Sequence, residues 1–60
     1  MEEQELNELH RSVRDTLDVI TRAYMEERIG SRDALSFLGD LTEVALEKLR
    51  FVATHAAHLS

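Results

Sequence analysis

Three histidines hold most of the chemistry open to this chain. The stretch "HAAH" sets His55 and His58 three residues apart, about one turn of a helix. Antiparallel pairing of two helices brings His10 and the carboxylates of Glu2, Glu3 and Glu5 to the same end. Imidazole and carboxylate are adequate zinc ligands. Yet the chain has no HExxH, and no His stands three residues after a Glu, the spacing that di-iron bundles use. Cations in the last turn of a helix complement its dipole, and that plainer role suffices for His55 and His58. Ser12, Ser31, Ser36 and Ser60 form no Ser–His–Asp constellation readable from the sequence, and there is no Gly-rich phosphate loop. The expectation is a non-enzymatic protein without metal or cofactor.

A second chemistry centres on His10. "ELHRSVRDTLDVI", residues 8–20, resembles the phospho-acceptor helix of sensor histidine kinases, in which a His follows a Leu on a dimeric four-helix bundle. "EVALEKLRFV", residues 43–52, is similar to the second helix of such hairpins. The resemblance implies phosphotransfer through His10. Two features depart from it. Arg11 stands where those families usually place an acid, and sixty residues hold no ATP-binding domain.

Composition narrows the field. The chain carries 7 Lys and Arg against 12 Asp and Glu, a net charge of −5. Phosphate recognition needs clustered cations. Arg11, Arg14 and Arg22 share one helix but are interleaved with acids. RNA binding by a hairpin dimer is therefore the weakest reading, and anionic membranes are equally poor partners. No apolar run approaches the ~20 residues of a membrane span. The opening "MEEQELNEL" is acidic and lacks the apolar stretch of a signal peptide. Cysteine is absent, which excludes disulfides and fits a cytoplasmic protein.

The elements that position these residues are two helices. Leu6, Leu9, Val13, Leu17, Ile20 and Tyr24 recur at steps of three and four, one face of a helix spanning about residues 3–29. Arg11–Asp15, Arg14–Asp18, Asp18–Arg22 and Arg22–Glu26 form i,i+4 pairs on the solvated side. In "RIGSRDAL", Gly30 suits a left-handed helix stop and Ser31 an N-cap. A turn at 30–31 and a second helix over about 32–58 follow. Gly39, ahead of the potential capping box Asp40–Glu43, could break that helix. The stripe on either side of it stays in phase, so a continuous helix is expected. The whole chain, 1–60, is read as one all-α domain, an antiparallel two-helix hairpin.

Helix 2 carries two apolar seams where one neighbour needs only one. Leu35, Leu38, Thr42, Ala45, Leu49, Val52 and Ala56 form the first. Ala34, Phe37, Leu41, Val44, Lys48, Phe51 and His55 form the second, centred about 90° away at ~100° per residue. Four-helix bundles ask for this arrangement, because each helix faces two neighbours. Below roughly 70–80 residues a lone core rarely supplies more than a few kcal/mol. A homodimeric four-helix bundle is therefore expected, with Phe37, Leu41, Val44, Lys48, Phe51 and His55 at its interface and Leu38, Leu49 and Val52 facing the same hairpin. Lys48 either snorkels at the rim or fixes register. Tyr24 pairs with Phe37 by register near the turn. The off-stripe Val19, Met25 and Leu46, with Tyr24, mark a candidate patch for another protein. The resulting expectation is a small acidic adaptor or regulator acting through protein–protein interaction.

Overall fold

The computed structural model describes the backbone over residues 2–59 and the side chains over residues 3–55. The side chains of Glu2, Ala56 and His58, and Ser60 as a whole, lie outside the described residues. Helix α1 runs Glu2–Met25 and helix α2 runs Ser31–Leu59. They pack against each other as a hairpin, with Cα extents of 47 × 17 × 7 Å. The smallest dimension is that of a single layer. Most domains stack two such layers around a core.

The first helix ends earlier than its periodicity suggests. The Arg28 amide donates to the Ala23 carbonyl at 2.9 Å, and the Glu27 amide donates to the Tyr24 carbonyl at 3.1 Å. These two bonds are the Schellman closure, which needs a left-handed residue at its centre. That residue is Glu27, at φ 59°. Gly30 does not have a positive φ. Its carbonyl accepts the first bond of α2, from the Ala34 amide at 3.0 Å, so Gly30 is the N-cap and Ser31 the first helical residue. The expected helix stop at Gly30 and the 30–31 turn are thus replaced by a connection over residues 26–30.

Ile29 supplies the physical reason. Continued to residue 29, α1 would carry Ile29 on the side opposite Val13, facing water. The early stop folds Ile29 back until it is half-buried. That burial offsets the roughly 1–2 kcal/mol of placing a non-glycine residue in the left-handed region.

Helix α2 passes through Gly39 without a break. A side chain there would meet nothing within 4 Å, so this glycine serves no close approach. Thr16, Thr21 and Thr42 each donate their hydroxyl to the carbonyl four residues back, at 3.0, 2.8 and 2.7 Å. The bond satisfies a polar group inside a helix locally. None of the four expected i,i+4 ion pairs closes among the described residues. The ion pair that forms is Arg28–Glu26 in the connection, at 3.2 Å and exposed, where such pairs contribute little.

The cap assignment makes a prediction. Glu27→Gly should raise stability by about 1 kcal/mol by relieving the left-handed strain. Gly30→Asp should hold or raise stability, because Asp is among the best N-caps. Denaturant titration of both variants reads this. A substantial loss from Gly30→Asp would return the left-handed cap to Gly30.

Candidate functional site

The hairpin contact runs between the two apolar seams of α2. Its covered residues are Ala34, Leu41, Ala45 and Val52 on α2, against Leu9, Val13, Ile20 and Ala23 on α1. Among the described residues only Val52, at 9% exposure, is buried. The division of α2 into one seam for the hairpin and one for a second copy is therefore redrawn. Ala34 and Leu41 join the hairpin contact from the second seam. Leu49 and Leu35, of the first, stay exposed. Side-chain size explains the shift. A pair of helices touches along one line, and small residues there let the axes approach. Ala23, Ala34 and Ala45 take that line, and the bulkier Leu35 and Phe37 swing to opposite sides.

Each broad face of the slab is consequently apolar. On the front face a groove of about 520 Å³ runs between the helices, bordered by Ser12, Thr16, Val19 and Ala23 from α1 and by Phe37, Asp40, Val44 and Lys48 from α2. Leu41 and Ala45 line it between them, and Ile29 lines its turn end. A second hollow of about 310 Å³ extends it past Lys48 to Phe51, level with Glu5, Glu8 and Leu9. Phe51 is 72% exposed, and Phe37 and Val44 are about half exposed. The Phe51 ring stacks on His55, with centroids 6.2 Å apart and planes 2° from parallel.

Five of the six residues assigned to a copy-to-copy interface thus line this continuous face, and His55 joins it through its stack on Phe51. Val19, assigned to a separate patch, belongs to the same face. Ser12 and Thr16 were not singled out from the sequence. Their signal was the series Ser12, Thr16, Val19, Ala23, a stripe of small residues beside the main one.

On the back face, Leu17, Tyr24, Leu35 and Leu38 line a hollow of about 300 Å³. The Tyr24 and Ser31 hydroxyls share a hydrogen bond at 3.1 Å, tying α1 to the start of α2. Tyr24 therefore does not pair with Phe37, which lines the front groove. Tyr24 and Met25 share a hollow at the turn, whereas Leu46 points outward from α2. Tyr24 and Met25 apart, the residues of the expected patch are not brought together, because their positions on the two helices differ in azimuth.

His10 is exposed in a polar hollow with Asn7, Arg11, Arg14, Asp15 and Asp18. The described residues gather no three His, Asp or Glu side chains in metal-ligating range; Glu2 and His58 fall outside them. No helix is long and apolar enough to cross a membrane among the described residues. Comparison of the chain with protein-family models, curated proteins and solved structures finds no match.

The histidine end yields a test of its own. Saturating Zn²⁺ is expected to leave the melting temperature unchanged. A rise that grows with the logarithm of Zn²⁺ concentration, and that is lost in His55→Ala, would reveal a site there.

Proposed function

We propose that this chain is a non-enzymatic interaction module, an adaptor or regulator that works as a homodimeric four-helix bundle. One observation carries the reading. A folded monomer of 6.9 kDa is expected to expose about 4,000 Å². This hairpin exposes 5323 Å². The excess of about 1,300 Å² is larger than the ~800 Å² per partner of a standard interface. Pairing through the front face would place Phe37, Val44 and Phe51 in a second layer and give the fold a core.

The back face supports the adaptor part. Leu35 is 69% exposed, and Leu17, Leu38 and Leu49 lie between 37% and 46%. With the front covered by a second copy, these residues still face water. Contiguous apolar surface of that kind marks interaction sites. A dimer would offer it twice, on opposite sides of the bundle.

Light scattering with size exclusion tests the dimer. Phe51→Ala should shift it toward monomer or unfolded chain at micromolar concentration, since removing a buried aromatic costs ~3–5 kcal/mol. Val44→Asp should do worse by burying a charge beside its symmetry mate. Glu43→Ala, on the outer side of α2, should change little. A wild-type chain running as a folded monomer of 6.9 kDa would overturn the homodimer.

A second reading, phosphotransfer through His10, has one observation in its favour. The exposed imidazole stands in the same hollow as Arg11 and Arg14, cations of the kind that hold phosphoryl oxygens. Incubation with a small phosphodonor should then label the chain, and His10→Gln should abolish the label. Absence of labelling, or labelling that survives His10→Gln, removes this reading.

A further inference from the structure

The front of α2 is self-complementary about its centre. Phe37 and Phe51 stand seven residues either side of Val44, Asp40 and Lys48 four, and Asp33 and His55 eleven. At ~100° per residue all seven side chains fall within a sector about 80° wide; Phe37, Asp40, Val44, Lys48 and Phe51 line the front hollows, His55 stacks on Phe51, and Asp33 lines the hollow at the turn. Reversing the chain about Val44 maps each ring onto a ring. It also maps each carboxylate onto a basic or imidazole side chain.

We propose that two copies pair face to face around a two-fold axis through Val44, with α2 antiparallel to α2 and the two turns at opposite ends. This inference rests on the homodimer reading above and specifies its geometry. Isologous interfaces require this property, that the patch match its own rotated image. Val44 meets Val44 on the axis. Phe37 of each copy meets the partner's Phe51. Lys48 meets the partner's Asp40, and His55 the partner's Asp33, so an ion pair and an imidazole–carboxylate pair flank the apolar centre on each side. On α1 the groove edge opposite Val44 is built from Ser12 and Thr16, small enough for the α1 helices to approach as well. Asp40 and Lys48 lie eight residues apart on one helix, about 12 Å, too far to pair within a chain.

The competing arrangement puts both turns at one end and stacks α2 over the partner's α1. Phe51 is level with Glu5 and Glu8 in its own hairpin. That arrangement would therefore lay the Phe51 ring over the partner's Glu5 and Glu8, beside Lys48 of the same hollow, rather than against a second aromatic ring.

Charge reversal separates the two geometries. Asp40 and Lys48 are exposed, so neither change disturbs the hairpin itself. Asp40→Lys and Lys48→Asp should each weaken the dimer about tenfold or more, by setting like charges opposite each other at two symmetric places. The double variant Asp40→Lys/Lys48→Asp restores every pair with its sign inverted, and its dissociation constant should return to within about threefold of wild type. A second readout uses Val44→Cys in this cysteine-free chain. A short bis-thiol-reactive linker should join two copies through the axis, whereas Glu43→Cys should not be joined. A dimer in which the double variant is as weak as the singles combined, and Val44→Cys is not joined, overturns the axis while leaving the homodimer standing. A monomeric wild type overturns both.

Discussion

A single layer of two helices has two broad faces and one line of contact. Everything in this hairpin follows from that geometry. Along the contact line lie Ala23, Ala34 and Ala45 together with Leu9, Val13, Ile20, Leu41 and Val52, and among the described residues Val52 alone is buried. They bring the helices together but enclose almost nothing. Many of the larger side chains, which would be the core of a bigger domain, lie instead on the faces: Phe37, Val44 and Phe51 in front, Leu17, Leu35 and Leu38 behind. Hydrophobic stabilisation scales with area removed from water. The hairpin by itself leaves much of its apolar area in water.

This constraint also orders the electrostatics. Most acids and bases sit on the outer sides of the helices, where water screens them. Asp40 and Lys48 border the front groove, and Glu5 and Glu8 border its extension. Side chains in that position contribute little to a lone hairpin. In the proposed dimer each would be partly desolvated and in need of an opposite charge. A polar residue inside an apolar seam limits the registers in which two helices can meet.

Much of the architecture could be read from residue spacing. The stepping of Leu9, Val13 and Ile20 gives α1, and the in-phase seams across Gly39 give an unbroken α2. What spacing could not resolve is which azimuth of α2 the hairpin uses. Both seams have the same period, and the choice between them is made by side-chain volume at Ala34 and Ala45. The turn was obscured for a different reason. Gly30 has the usual identity for a left-handed helix stop, but the stop falls at Glu27. Local preference yielded there to the burial of Ile29. The patch of Val19, Tyr24, Met25 and Leu46 dissolved because off-stripe residues on two helices share a surface only if their azimuths agree.

The three threonine bonds extend this picture. Thr16 borders the front groove, and Thr21 lines the back hollow. Thr42 rises from α2 on the back as well. Each hydroxyl is turned inward to its own helix, onto the carbonyl one turn earlier. The hydroxyl donor is thereby consumed, and what remains for a neighbour is a methyl group and an acceptor oxygen. At these three positions an approaching surface would find no free hydroxyl donor where the letters promise one.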